Sequence, residues 1–151
     1  MATNPVPILT AAEYLAMERA APFKSEFVGG EVFAMSGGLL PHAQLIGQTA
    51  RELADALDQG PCIVTVTELR LQVAASETYM YPDVMVICGA PAYADGHRDM
   101  ITNPSVVVEV LSESTERWDR GGKFAQYRRV ASLREYVPVS REEVGAGGVT
   151  G

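Results

Sequence analysis

The chain has 151 residues, of which 47% are hydrophobic and 21% are charged, and this composition is typical of a globular protein that can bury a core. No apolar run approaches the roughly 18 residues that a membrane-spanning helix needs, and the N-terminus lacks the basic start and long apolar core of a signal peptide. We therefore expect a cytoplasmic protein without a membrane partner. The net charge of −7 argues against nonspecific attraction to nucleic acid, because such binders usually carry a basic surplus.

The chain length fits one domain, which we place at residues 1–140. Residues 141–151 are rich in glycine and carry few side chains that could pack, so we expect a flexible tail there. Cys62 and Cys88 both lie in apolar, strand-like contexts. This placement predicts reduced, buried thiols rather than a disulfide or a metal site.

Two helices are predicted in the first part of the chain. Thr10 and Glu13 have the spacing of a capping box, which predicts the start of a short helix, and Pro22 ends its helical pattern. Apolar residues then recur at helical spacing from about residue 41 to residue 59. His42 falls in the first turn of this second helix.

Strand patterns lie on either side of the second helix. Residues 26–35 contain two strand-like runs around a Gly-Gly pair, which is typical of a hairpin turn, and Glu26 and Glu31 flank that turn. Residues 62–73 are also extended, and their second half alternates apolar and polar side chains. Arg70 falls on the polar face of that pattern.

Two further strands each carry one carboxylate within an apolar run. Residues 81–87 contain Asp83, and residues 104–111 contain Glu109 in the middle of Val-Val-Val-Glu-Val-Leu. A continuous run of β-branched residues bounded by turn residues is typical of a strand covered on both faces, where an ionised acid is costly unless something pairs with it. Two such acids suggest a shared partner, most economically a divalent metal ion.

The remaining segments complete the predicted fold. Residues 89–104 are rich in Gly, Pro, Asp and Asn, which predicts a long surface loop where substrate contacts are often made. A helix is predicted from about residue 119 to residue 130, and a strand from residue 133 to residue 137. Pro138 interrupts that strand, so we expect an edge strand or a bulge. The order of elements predicts an α/β (α+β) fold in which helices flank a mixed β-sheet.

Basic residues are concentrated near the C-terminal end of the predicted fold. Six of the twelve Lys and Arg residues lie between positions 117 and 134, namely Arg117, Arg120, Lys123, Arg128, Arg129 and Arg134. The acids nearby are Glu116 and Asp119. This pattern fits either a local basic face within an acidic protein or a solvated helix surface.

Several short motifs follow one another along residues 8 to 140. They are Glu26-Phe-Val-Gly-Gly-Glu31-Val, then His42 on a helix, Tyr81-Pro82-Asp83-Val, Val108-Glu109-Val-Leu-Ser112, Asp119-Arg-Gly-Gly-Lys123-Phe-Ala-Gln-Tyr127-Arg-Arg, and Leu133-Arg-Glu-Tyr136-Val. In this order the motifs resemble the Uma-type family of restriction-endonuclease-like proteins, formerly a domain of unknown function, in the PD-(D/E)XK superfamily. Several ordered motifs make this resemblance specific, whereas Pro-Asp alone would be weak.

The resemblance implies a restriction-endonuclease-like core and a Mg²⁺-dependent endonuclease that hydrolyses DNA as a homodimer. Asp83 and Glu109 would hold the Mg²⁺, for which Mn²⁺ could substitute, and no small-molecule cofactor is implied. Carboxylate oxygens suit Mg²⁺, which usually keeps several waters and binds through one or two carboxylates plus substrate phosphate. Such a metal activates a water molecule and neutralises charge that develops on the phosphate.

One position departs from the superfamily pattern. The superfamily has a catalytic lysine two residues after the glutamate, and this chain has Leu111 there. Lys123 is the candidate replacement, because a helix packed over the sheet could return an ammonium group to the site, and Tyr127 one turn later would share its helix face. The alternative is that Lys123 is an ordinary surface lysine.

Glu31 and His42 are further candidates for the site. Glu31 would complete the metal site, as an early acid often does in the superfamily, or it is a solvated hairpin carboxylate. His42 is either a ligand or a histidine that makes structural hydrogen bonds. Asp119 is explained by a helix-capping role. Three aromatic residues, Tyr14, Phe33 and Trp118, are interpreted as packing residues rather than base-stacking residues.

Two alternatives to a nuclease remain from the sequence. Leu111 and the acidic net charge fit a nuclease-like fold that binds nucleic acid or protein without catalysis. An acidic dimeric interaction protein with no nucleic-acid partner is the third possibility. Relatives in the resembled family continue beyond the strand that ends near Pro138 with further strands, so we expect this chain to be a truncated or frame-altered member.

Overall fold

A computed structural model describes residues 9–35, 38–111 and 122–140. The chain begins with helix α1 (Ala11–Ala20), hairpin strands β1 (Ser25–Val28) and β2 (Glu31–Ala34), and helix α2 (Leu40–Ala56). Strands β3 (Cys62–Val66), β4 (Arg70–Val73), β5 (Thr78–Met80), β6 (Val84–Cys88), β7 (Met100–Ile101) and β8 (Val106–Leu111) follow. Helix α3 (Phe124–Tyr127) and strand β9 (Glu135–Ser140) complete the described elements. The expected tail at residues 141–151 and the start of the last helix lie outside these ranges.

The strands form two sheets. One has the order β2-β1-β5-β4-β7, the other has the order β3-β6-β8-β9, and each contains both parallel and antiparallel pairs. The predicted α+β class with mixed sheets and flanking helices is therefore confirmed, although the strands divide into two sheets rather than one. Among the described strands, β9 lies at the edge of its sheet. It contains Pro138, which predicts an edge position.

Two local sequence signals are confirmed. The Thr10 hydroxyl accepts a hydrogen bond from the Glu13 amide at 3.1 Å, and the Glu13 carboxylate accepts one from the Thr10 amide at 2.9 Å, which completes the capping box. Gly29 and Gly30 adopt φ values of 62° and 85° between β1 and β2. A two-residue turn with positive φ at both positions matches the twist of a hairpin, and glycine adopts it without steric cost.

Helix lengths agree with the prediction for α2 and disagree for α3. Helix α2 spans most of the predicted range and packs against β3, β6 and β8. Helix α3 ends at Tyr127, so Val130 lies beyond it instead of inside it. Within the described parts of the chain, no helix has both the length and the apolar character that are needed to cross a bilayer.

Two apolar clusters hold the layers together. The first lies between the two sheets and joins Leu71 and Met80 of one sheet to Met85 and Val107 of the other, with Tyr127 of α3. The second packs α1 on the outer face of the five-stranded sheet, where the Tyr14 ring stacks on Phe27 with 4.8 Å between centroids. The predicted packing role of Tyr14 is thereby confirmed.

The cysteine prediction is wrong. Cys62 and Cys88 form a disulfide, and Cys88 is exposed. The two residues are paired directly across the antiparallel β3–β6 ladder, with 3.9 Å between their Cα atoms. Cross-strand neighbours of this kind bring their side chains together, and this register is not visible from the sequence. The predicted loop at residues 89–104 also contains a strand, because β7 pairs in parallel with β4.

The core between the sheets should determine stability. Leu71 is fully buried there, so Leu71→Ala should lower the free energy of unfolding by about 2–5 kcal/mol, through lost burial and the cavity left behind. Leu40→Ala is the matched control, because Leu40 is 71% exposed and the same change should stay within about 0.5 kcal/mol. Urea unfolding measures both variants. Equal losses would contradict this assignment of the core.

Candidate active site

Strands β6 and β8 bring the two predicted carboxylates together. Val84 pairs with Val108 in their antiparallel ladder, and this register places Asp83 beside Glu109 at the end of the pair. The Asp83 amide donates a hydrogen bond to Glu109 Oε1 at 3.3 Å. In return, the Val110 amide donates one to Asp83 Oδ2 at 2.7 Å. The backbone of each segment therefore orients the carboxylate of the other.

Helix α3 and the residue before it supply two side chains to the same place. The Lys123 ammonium lies 3.4 Å from Glu109 Oε2, and the Tyr127 hydroxyl donates a short hydrogen bond to that oxygen. Glu109 is 2% exposed, Lys123 7% and Tyr127 0%. The interpretation of Lys123 as an ordinary surface lysine is therefore wrong. The predicted replacement for the missing lysine lies beside Glu109.

The early acid in this cluster is Glu26, not Glu31. Glu26 Oε1 lies 3.3 Å from the Lys123 ammonium, and Glu26 Oε2 accepts a hydrogen bond from the Tyr81 amide at 2.9 Å. Glu31 is exposed on the edge strand β2, so the structure does not bring it into the cluster. Both acids are followed by an apolar residue, Phe27 and Val32, so the local sequence does not indicate which of the two is buried.

Burial and repulsion between carboxylates control protonation here. Burial and, to a lesser extent, the neighbouring Glu109 charge raise the pKa of Asp83 from 3.8 to about 8, although the Val110 amide and the Lys123 ammonium act in the opposite direction. Burial also raises the pKa of Glu26, against the opposing effect of Lys123. The pKa of Tyr127 is raised by burial and by Glu109, so its hydroxyl keeps its proton.

The donor set can be compared with the needs of a metal ion. Asp83 and Glu109 supply hard carboxylate oxygens, and each group offers about four lone-pair sites, only some of which accept the hydrogen bonds described above. Among the described residues, no group of three or more His, Cys, Asp and Glu side chains is arranged to hold a metal. Two carboxylates suit Mg²⁺, which commonly binds through one or two of them with water and substrate phosphate. The pair fits such an ion.

Comparison with protein families identifies the chain. Residues 11–145 match the Uma2 family, described as "Putative restriction endonuclease". The chain belongs to the Uma2 family. Two Synechocystis sp. proteins, named uncharacterized protein sll1609 and uncharacterized protein slr1290, are 40% and 36% identical to it over 134 and 140 residues. These matches cover 89% and 93% of the chain and 76% and 73% of the two relatives.

A solved structure has the same fold. It is a crystal structure of "a putative nuclease belonging to DUF820" from Anabaena variabilis ATCC 29413, and its TM-score against this chain is 0.73. The match covers 89% of this chain and 75% of that one at 15% sequence identity. The resemblance seen in the sequence motifs is thereby confirmed at the level of family and fold.

Other residues of the family motifs lie outside the carboxylate cluster or outside the described ranges. His42 is half-buried in the first turn of α2 beside Gly38, and the contacts that define the cluster do not include it. Phe33 is 42% exposed on β2, so it lies outside the core, and its predicted packing role stays a prediction. Asp119 and Trp118 belong to residues 112–121, which are not described.

A further buried acid, Glu18 of α1, fixes the two segments that carry the cluster. Its carboxylate accepts hydrogen bonds from the Ser25 amide at 3.2 and 3.0 Å, next to Glu26. It also accepts one from the Tyr81 hydroxyl at 2.6 Å, two residues before Asp83. Glu18 is 6% exposed. One carboxylate therefore fixes the segments that lead to Glu26 and to Asp83. The sequence analysis did not predict this contact.

Arg70 completes this support, and it is buried although it lies on the polar face that the alternating pattern predicts. It is 5% exposed, and its Nε donates a hydrogen bond to the Tyr81 hydroxyl at 3.1 Å. Arg70 Nη1 also lies 3.5 Å from Asp99 Oδ2. The Tyr81 hydroxyl thus joins a buried guanidinium to a buried carboxylate. Burial and the bond to Glu18 raise the pKa of Tyr81 to about 12, so this hydroxyl stays protonated.

The raised pKa of Asp83 predicts a pH dependence of stability without metal. Between about pH 4 and pH 8, the folded state keeps a proton on Asp83 that the unfolded state has lost, so stability should fall as pH rises through that window. Asp83→Asn should flatten this fall, while the exposed-site control Asp58→Asn should not. Urea unfolding in EDTA at pH 5, 6, 7 and 8 measures the slope. Parallel slopes for the wild type and Asp83→Asn would contradict the raised pKa.

The Glu18 network predicts that loss of the Tyr81 hydroxyl lowers the stability of the fold. Tyr81→Phe should lower the free energy of unfolding by about 1–3 kcal/mol, because Arg70 and Glu18 both lose a buried hydrogen-bond partner. Tyr93→Phe is the matched control, since Tyr93 is 45% exposed and its change should lie within about 0.5 kcal/mol. Thermal and urea unfolding would show the difference. A Tyr81→Phe protein as stable as the control would exclude this anchoring role.

Proposed function

We propose that this Uma2-family chain is a Mg²⁺-dependent endonuclease that hydrolyses phosphodiester bonds in DNA. The observation that carries the proposal is the convergence of Asp83 and Glu109 with the buried Lys123 ammonium, which contacts Glu109 at 3.4 Å. Family membership supports a nuclease, and the fold agrees with it. Buried groups of opposite charge placed next to each other are typical of active sites, where they tune ionisation and bind charged substrates.

Each residue has a role that its contacts support. Asp83 and Glu109 would hold the Mg²⁺, which when bound supplies an activated water and neutralises charge on the phosphate oxygens. The Lys123 ammonium is the one cation among the described cluster residues, so it would stabilise negative charge that builds up on the phosphate. Glu26 orients that ammonium from one side. The Tyr127 hydroxyl donates a hydrogen bond to Glu109 Oε2 and so orients the carboxylate.

A binding module without catalysis is the second candidate. It is favoured by Leu111, which is 4% exposed on the same face of β8 as Glu109, where the superfamily pattern has lysine. Under this alternative, the chain would bind DNA equally with and without metal. The assignment of homodimeric state stays a prediction for both candidates.

Three substitutions separate the parts of the proposed mechanism. Asp83→Asn and Glu109→Gln should each lower Mg²⁺-dependent cleavage at least about 100-fold and weaken Mn²⁺ binding, because loss of even an outer-shell partner of a metal costs about 10–100-fold. Lys123→Met should lower cleavage similarly but retain Mn²⁺ binding, since it removes a cation rather than a ligand. Plasmid nicking measures cleavage, and titration calorimetry measures Mn²⁺ binding.

Lys24→Met is the matched control for the lysine substitution. Lys24 is half-buried and pairs with the exposed Glu68 at 2.9 Å rather than with a carboxylate of the cluster, so its loss should leave cleavage within about twofold. The proposal fails if Asp83→Asn and Glu109→Gln cleave DNA as fast as the parent. DNA binding that is indifferent to Mg²⁺, with no cleavage by the parent, would instead support the binding module.

A further inference from the structure

Helix α3 presents two different faces to the protein. Lys123 and Tyr127, four residues apart, face the carboxylates, whereas Phe124 and Arg128 form the neighbouring pair on the adjacent face. The second pair borders a groove of about 240 Å³ between α3 and β9. We call it the α3–β9 groove, and its lining includes Phe124, Arg128, Leu133, Arg134, Glu135 and Tyr136. The ring of Tyr127 lines it too, so the groove adjoins the candidate active site.

The groove contains an aromatic platform with a cation on it. The Phe124 ring is 41% exposed and stacks on Tyr136, with 5.4 Å between centroids and 26° between planes. The Arg128 guanidinium lies 5.6 Å from the Phe124 centroid. Exposed aromatic rings with arginine beside them are a common surface for stacking unpaired bases, because every base offers a π face.

The charge and the volume of the groove indicate which kind of ligand it can bind. Arg128 and Arg134 line the groove and are exposed, and Arg129 beside Arg128 is exposed as well. Among the described lining residues, Glu135 is the one acid. The Arg134 amide donates a hydrogen bond to the Ser105 carbonyl at 2.8 Å, which fixes the backbone from which this side chain projects. A local positive surplus in a chain of net charge −7 favours an anionic partner. The volume is below the roughly 300–1,000 Å³ of pockets for drug-sized ligands, so it suits a single ring system.

We propose that the α3–β9 groove binds one unpaired nucleobase of a DNA strand, with Phe124 as the stacking surface and Arg128 and Arg134 on the flanking phosphates. The inference rests on the proposed function, since it identifies single-stranded DNA next to the scissile bond as the feature that this site selects. It also gives a role to the exposed basic residues of α3 and its C-terminal flank. The contribution of Phe124 is sequence-tolerant, because stacking does not read hydrogen-bonding edges.

The test measures binding without metal, so that it does not depend on cleavage. A short single-stranded oligodeoxynucleotide with one 2-aminopurine is titrated with the full chain in EDTA at low salt, and its blunt duplex is titrated in parallel. The single strand should bind more tightly, with quenching of the 2-aminopurine fluorescence on stacking. Phe124→Leu should weaken its binding by about 5- to 150-fold, the range for loss of one stacked base. Phe124→Trp should bind as the wild-type chain does, because it keeps an aromatic ring at this position.

The arginines are tested through salt dependence. Arg128→Gln and Arg134→Gln should each reduce the slope of log K against log salt concentration by about 0.7, as expected for one lost phosphate contact on a single strand. Arg98→Gln is the matched control, because Arg98 is exposed and lies over the Tyr93 ring at 5.8 Å, away from the groove. Phe23→Leu controls for the loss of an exposed phenylalanine, since Phe23 is 61% exposed.

The outcomes separate this inference from the proposed function. Unchanged binding in Phe124→Leu, equal losses in the two controls, or equal binding of single strand and duplex would overturn the groove assignment, whatever the cleavage result. Tight, Phe124-dependent binding by a chain that does not cleave DNA with Mg²⁺ would support the groove and exclude the nuclease. Thermal unfolding of Phe124→Leu and Phe124→Trp confirms that both variants are folded.

Discussion

The structure depends on how a buried strand accommodates Glu109. An ionised carboxylate in the middle of β8 would be costly without partners, and among the described residues it contacts the Asp83 amide, the Lys123 ammonium and the Tyr127 hydroxyl. Those contacts come from two other parts of the chain, so satisfying one acid fixes the β6–β8 register and docks α3 over the sheet. The Tyr127 ring also lies in the core between the sheets. Folding and assembly of the candidate site are therefore one event.

The cluster contains more acids than cations even with those contacts made. Glu26, Asp83 and Glu109 are three acids around one ammonium, and when all are ionised the cluster carries an excess of two negative charges. Burial makes that excess unfavourable, which is why the pKa values of Asp83 and Glu26 are raised. Protons can relieve the excess, and so could one divalent cation. The same electrostatic imbalance thus underlies the predicted pH dependence, and it would favour the Mg²⁺ binding that the proposed function requires.

Sequence reasoning succeeded where the determining contacts are local. The capping box of α1, the Gly-Gly turn and the two strands that carry Asp83 and Glu109 each depend on a few neighbouring residues, and all are present. It failed where tertiary pairing decides. Glu26 rather than Glu31 enters the site because β1 is an inner strand next to β5, whereas β2 is an edge strand. The disulfide and the burial of Arg70 depend in the same way on strand partners that no local pattern specifies.

The lysine of the candidate site and its glutamate lie on different elements. In the superfamily pattern the glutamate and the lysine share a strand, so any change that moves one moves the other. Here Leu111 occupies the strand position, and the ammonium comes from Lys123 at the start of α3. Docking of α3 therefore positions the ammonium and the Tyr127 hydroxyl together, whereas the backbone amides of Asp83 and Val110 bond the carboxylates from the strand segments. Under the proposed function, the cation and the metal ligands therefore come from different elements, so the cation can be removed without removing a ligand.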